Sequence, residues 1–240
     1  MPPPGAGSAR TLMVDLTMPQ ETVRLLAEGN YRLCLFHAVE CDQGGGSPLV
    51  WATTASYAPS TTLSWQETTY AYASTDEPVR DTVVTGRSFA KAGPGQVVDV
   101  ASNALASVAP VQGESPYITV RNLTGTPFSC GLAQSAPAAR EAPAPYCAFP
   151  LYGNNLVFVA PLPRVALTFT TRPLYAGSPV DRVLGPTVLV DLERACPAGL
   201  RYDINAGWSA DGPYAAPIPL DAFRDSLIVP SRDPAARGTP

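Results

Sequence analysis

The sequence predicts an all-β, mostly antiparallel fold: a β-sandwich or jelly-roll-like domain with one short N-terminal helix. Three observations carry that expectation. Apolar runs recur roughly every eight to twelve residues, the rhythm of short strands in a sandwich or barrel. The chain holds 27 prolines in 240 residues, mainly between those runs. Proline lacks a backbone donor and fixes φ, so it interrupts helices and central strands. Only 15% of residues are charged, against about 25% in an ordinary globular chain. Thr, Ser and Asn carry much of the polarity instead, and threonine packs well on a pleated surface where Lys and Glu favour helices.

Residues 1–10 and 230–240 are short of large apolar side chains, and disordered ends are expected there. A single domain is expected over 11–229. Its first element is the helix in "TMPQETVRLLAEGNY". Thr17 is placed to cap its start, Pro19 suits the first turn, and Gly29 supplies a stop. Val23, Leu26 and Ala27 form one face. A strand follows in "YRLCLFHAVE", then apolar segments in "LVWATTASY", "TTLSWQETTYAYAST", "DTVVTGRSF", "QVVDVAS" and "PYITVRNLT".

Residues 133–146, "AQSAPAAREAPAPY", form the strongest break in composition. They read as a long surface loop or as the boundary between two smaller β domains. Strand candidates resume in "CAFPLYG", "NLVFVAP", "RVALTFTTRP", "TVLVDLE", "RYDINAGW" and "DSLIVPS". Gly-Asn-Asn between the first two predicts a hairpin, because both residue types tolerate positive φ. The halves share no repeat register. Helical segments do not alternate with strands, which disfavours a parallel α/β sheet.

Several function classes fall away. The formal net charge is -4, Lys91 is the single lysine, and the arginines are scattered. A nucleic-acid partner needs concentrated positive charge, so none is expected. The start lacks a basic region followed by an apolar core, and no run approaches the roughly 20 apolar residues of a membrane helix. A protein without a transmembrane segment is expected, cytoplasmic or released without a classical signal peptide. "AGPGQ" and "CDQGGGSP" are not followed by Lys-Ser/Thr and do not match a phosphate loop. Asn122-Leu-Thr124 is a glycosylation triplet that carries weight only in a secreted chain.

The five cysteines form no C-x-x-C pair, and His37 is the single histidine. A zinc site would need ligands from distant places. Buried hydrophobic thiols are the simpler expectation. A Cys130–Cys147 disulfide would close the Pro/Ala-rich loop in an oxidising setting. Ser-His-Asp catalysis would have to use His37, which lies mid-strand among apolar neighbours, and there is no Gly-x-Ser-x-Gly elbow.

The stretch 49–75 carries two tryptophans and three tyrosines. On a strand, side chains alternate between faces. Leu63 and Trp65 then share a core face, and Thr62, Ser64 and Gln66 the other. Trp51 sits in the apolar run "LVWA" and is expected in the core. Tyr70 and Tyr72 continue the polar face and are candidates for an exposed stacking surface, with Gln66, Glu67 and Thr69 as polar neighbours. The competing expectation is that they pack across strands. In "RYDINAGWSADGPY", Asp203, Asn205, Ser209 and Asp211 put oxygens at alternate positions, and Trp208 offers a second ring. Calcium takes six to eight oxygens, which makes Asp203, Asn205 and Asp211 a weak calcium candidate. Asp and Asn also form turns by bonding their own backbone.

These readings combine into a non-enzymatic, lectin-like module that binds a glycan or other small ligand through Tyr70, Tyr72 and Trp208. Gln66, Asp203, Asn205 and Asp211 would hydrogen-bond the ligand, and a homo-oligomer would raise weak single-site affinity. No cofactor is expected beyond the calcium candidate. The first alternative is a self-assembling structural or toxin-like, pore-forming β protein, since Thr/Ser-rich alternating strands also suit a membrane barrel. The second is a glycoside hydrolase built on two carboxylates.

Overall fold

The computed structural model describes residues 10–109, 115–137, 142–182 and 185–231. The expected disordered ends lie mostly outside these residues. Pro230 and Ser231 are placed: Pro230 pairs with Cys41, and the Ser231 N–H donates to the Cys41 carbonyl at 2.7 Å.

The all-β expectation holds. Mostly antiparallel strands form three sheets of four, nine and six strands, and the sheets are not closed. Three pairings are parallel: Thr11–Thr17 with Ala198–Asp203, Val97–Ala101 with Ile118–Asn122, and Arg32–Cys41 with Ile228–Pro230.

The four-stranded sheet has Thr11–Thr17 inside it, between Ala198–Asp203 and the edge strand Ser60–Gln66. Leu12, Val14 and Leu16 point inward at every second position, as the pleat requires. Ser60–Gln66 alternates as its sequence predicts, with Leu63 and Trp65 buried and Ser64 and Gln66 exposed.

The nine-stranded sheet is organised on the 15-residue strand Leu156–Thr170. It runs beside Arg32–Cys41 along one edge, and beside Ile118–Asn122 and then Thr187–Asp191 along the other. "NLVFVAP" and "RVALTFTTRP" are therefore one strand. Pro161 and Pro163 cannot donate to the ladder, and the register with Arg32–Cys41 shifts between Pro161 and Val165.

In the six-stranded sheet, every residue of Phe128–Gln134 is buried. A Cβ on Gly131 would stand 2.0 Å from the Cys147 carbonyl oxygen, so only glycine fits between these strands. The loop 133–146 does not simply join two halves. Ala133 and Gln134 pair antiparallel with Pro145 and Ala144, so the chain turns back on itself there.

Four local expectations change. The helix Gln20–Glu28 begins after Pro19, and no side chain caps it; Thr17 ends a strand and donates to the Leu200 carbonyl instead. Its buried positions are Thr22 and Leu26, and Ala27 is exposed. Asn154 has the positive φ expected of the Gly-Asn-Asn turn, at 56°. Yet the strands it joins, Cys147–Leu151 and Leu156–Thr170, do not pair and belong to different sheets. The turn is a corner and not a hairpin. Finally, "DSLIVPS" divides into a second short helix, Phe223–Leu227, and the strand Ile228–Pro230.

One hydrophobic cluster runs from Leu12 to Ile228 and takes residues from all three sheets. All five cysteines are thiols, and four of them lie in the core. The Cys130–Cys147 disulfide is not formed: burial pushes both thiols up, and Cys147 Sγ accepts the Leu132 N–H at 3.3 Å. Among the described residues, no helix is long and apolar enough to cross a membrane.

Candidate functional site

The seven residues expected to bind ligand do not converge. Tyr72 is fully buried, and its hydroxyl donates to the Cys147 carbonyl at 2.8 Å. Its ring lies 6.2 Å from that of Phe89. Tyr72 is a packing residue and cannot stack on a ligand. The outward face of Ser60–Gln66 does not continue into Tyr70–Ser74, because the chain leaves one sheet for another between them. Tyr70 is half-buried and pairs with Ala133 and Lys91.

Gln66 and Trp208 lie on opposite edge strands of the four-stranded sheet. Gln66 donates to Thr11 Oγ1. Trp208 stacks on Phe169 at 5.7 Å, lies 4.6 Å from Tyr202, and donates its indole N–H to the Pro186 carbonyl. Three partners hold the ring, which is half-buried and packed against the core.

Asp203 forms a turn by local bonding. Its Oδ1 accepts the N–H groups of Asn205 and Ala206 at 2.8 and 3.0 Å, and its Oδ2 accepts the Thr22 hydroxyl. Those bonds hold its carboxyl below the ordinary range. Asp211 pairs with Arg201 at 3.1 Å. The carboxylates of the calcium candidate thus face separate partners. No group of three or more His, Cys, Asp or Glu side chains suited to a metal ion occurs among the described residues.

His37 is sealed in the core at 3% exposure. Its ring lies 4.7 Å from Trp51, 4.8 Å from Tyr146 and 6.1 Å from Trp65. Burial drives its pKa down to about 4, partly offset by the nearby Leu162 backbone and Gln134 side chain. A neutral imidazole away from solvent cannot reach a substrate, and no triad forms on it.

An open cleft lies elsewhere, between the loops 78–83 and 172–182, with a volume of about 930 Å3. Arg80, Asp81, Arg172, Tyr175, Asp181 and Arg182 line it. Tyr175 is 61% exposed, unlike the half-buried or buried tyrosines of residues 49–75. None of the ion pairs among the described residues involves the three arginines. Comparison of the chain with protein-family models, with curated proteins and with solved structures returned no match.

The two loops are braced by backbone. The Val84 N–H donates to the Gly177 carbonyl at 2.9 Å, and the Gly177 N–H to Val50 at 2.8 Å. Gly177 has φ of +87°, and a Cβ there would meet the Val84 carbonyl oxygen at 2.5 Å. Only glycine lets the loops approach so closely. Ser178 accepts the Tyr175 N–H on its Oγ and donates its own N–H to the Tyr175 carbonyl. Thr82 donates its hydroxyl to the Glu77 and Val79 carbonyls. The loops are thus anchored to buried positions at Val50 and Val84. Sequence reading missed this site because its residues lie about a hundred positions apart, in loops that carry no motif. The one local signal was a Tyr-Ala-Gly-Ser turn placed between arginines.

Proposed function

We propose that the protein is a non-enzymatic, lectin-like module whose saccharide site is the cleft at Tyr175. The observation that supports this reading is one exposed ring in a cleft whose rim carries both guanidinium and carboxylate groups. A sugar offers C–H faces that stack on a ring and hydroxyls that both donate and accept. Tyr175 supplies the stacking surface. Asp81 and Asp181 accept from hydroxyls, and Arg80, Arg172 and Arg182 donate to them. The volume falls in the range of roughly 300–1,000 Å3 typical of small-ligand sites. The aromatic reading of the sequence is kept, and the ring that serves it is Tyr175 in place of Tyr72.

The test is binding of the labelled protein to a broad glycan array, beside Tyr175→Ala and Arg172→Ala variants. Saturable binding is expected for the wild type. Loss of one stacking ring, worth about 1.4 kcal/mol, should weaken it about tenfold in Tyr175→Ala. That variant should melt as the wild type does, because Tyr175 is 61% exposed. An array that stays blank, or binding that Tyr175→Ala leaves intact, overturns the reading.

A second reading, self-assembly, is favoured by the seven-residue strand Ser60–Gln66 at the edge of its sheet. Such an edge can add a strand from another copy. Light scattering across a concentration series checks it: a mass of one chain throughout removes this reading.

A further inference from the structure

His37 stands where the three sheets meet. It belongs to the nine-stranded sheet, Trp65 to the four-stranded sheet and Gln134 to the six-stranded sheet. All three are buried, at 3%, 4% and 3% exposure. Four of their polar atoms lack a well-aligned hydrogen bond among the described residues: His37 Nδ1, His37 Nε2, Trp65 Nε1 and Gln134 Oε1. The Leu162 backbone and the Gln134 side chain nonetheless lie close enough to His37 to hold its proton more firmly. Their neighbours are otherwise committed. The Trp51 indole N–H donates to the Gln134 carbonyl at 3.0 Å, and Gln134 Nε2 donates to the Gln66 carbonyl at 3.0 Å.

An unpaired buried polar group costs about 1–3 kcal/mol. Four together at one point would be a heavy burden on a fold of ordinary stability. Their chemistry is complementary to a single kind of molecule. The Trp65 indole is a donor only, and Gln134 Oε1 is an acceptor only. A neutral imidazole presents one donor and one acceptor. The set therefore offers two donors and two acceptors. Water accepts twice and donates twice. The two ring nitrogens of His37 point to different sides, so one molecule can accept from Trp65 Nε1, donate to Gln134 Oε1 and meet one imidazole nitrogen. A halide cannot donate, and an ammonium ion cannot accept. The backbone here is also irregular: the register of the long strand shifts between Pro161 and Val165, opposite the His37–Val39 segment. His37 and Trp65 stand 6.1 Å apart, wider than the 4.7 and 4.8 Å to Trp51 and Tyr146.

We infer that the junction of the three sheets is a built interior site for ordered water, held by His37, Trp65 and Gln134. The molecule bridges side chains of all three sheets, beside the Gln134 Nε2 bond to the Gln66 carbonyl that already joins two of them. No carboxylate or guanidinium contributes to the setting of His37; the groups that face it are Trp51, Trp65, Gln134, Tyr146 and the Leu162 backbone.

Two measurements on the wild-type protein test this. A crystal structure that resolves ordered water should show a peak within hydrogen-bond distance of Trp65 Nε1, Gln134 Oε1 and an imidazole nitrogen. In solution, the Trp65 indole proton should give a cross-peak to water with the sign of a long-lived bound molecule. That cross-peak should disappear in Gln134→Leu. A direct His37–Gln134 bond without a water peak, or an indole proton aimed at a neighbouring ring and silent to water, overturns the inference. The wild-type spectrum decides the matter even where Gln134→Leu fails to fold.

Discussion

At the scale of single residues, burial decides what each polar side chain does. Tyr72 and Tyr175 are the same residue type, yet one hydroxyl is spent on the Cys147 carbonyl and the other ring faces solvent. Tyr72→Phe should cost about 1–2 kcal/mol, the price of leaving a buried carbonyl without its donor; denaturant unfolding would measure it. Acid titration should expose His37. Its folded-state pKa is about 4, below the 6.5 of the free group. Between those values the unfolded chain binds the extra proton, so stability rises with pH across that window and falls on acidification. The change is on the order of 3 kcal/mol. Melting temperatures from pH 7 to pH 4 should show it, and His37→Gln should flatten the slope. Thiol labelling separates the cysteines. Cys196 is exposed, whereas Cys34, Cys41, Cys130 and Cys147 are buried, with Cys41 pushed up to about 11. The native protein should react quickly at Cys196 alone, and at all five once unfolded.

At the scale of elements, alternation was legible and partnership was not. Leu63 and Trp65 against Ser64 and Gln66 could be assigned to faces from sequence, because the pleat has a period of two. The same signal is present in Leu12, Val14 and Leu16, and it marks the strand Thr11–Thr17, which precedes the helix that sequence alone placed first. Which strands pair is a different matter. The turn at Asn154 has the backbone of a hairpin, but each flanking strand finds a better partner in another sheet. Gly131 is the element-scale test. Gly131→Ala would press a methyl group against the Cys147 carbonyl. It should destabilise by more than about 3 kcal/mol, read as a fall in the denaturant midpoint.

At the scale of the whole molecule, pairing repeatedly crosses the Pro/Ala-rich loop. Thr11–Thr17 joins Ala198–Asp203, and Arg32–Cys41 joins both Leu156–Thr170 and Ile228–Pro230. Both ends of the described chain are therefore built into the same sheets as its middle. The candidate saccharide cleft depends on this closure, since its two walls come from residues 78–83 and 172–182. Thermal unfolding should be one transition, with backbone and aromatic signals coincident. Two separated transitions would show that the halves fold independently.

The sequence alone determined the class of fold. Proline placement, low charge and a period of two depend on local chemistry, and local chemistry is written residue by residue. It also determined which face of Ser60–Gln66 is buried and that Trp51 belongs to the core. Only the tertiary structure decided that Tyr72 packs inward, that Trp208 lies against Phe169, and that Tyr175 shares a cleft with Arg80, Arg172 and Arg182. Exposure of a ring is set by what covers it, and the covering strand or loop comes from a distant part of the chain.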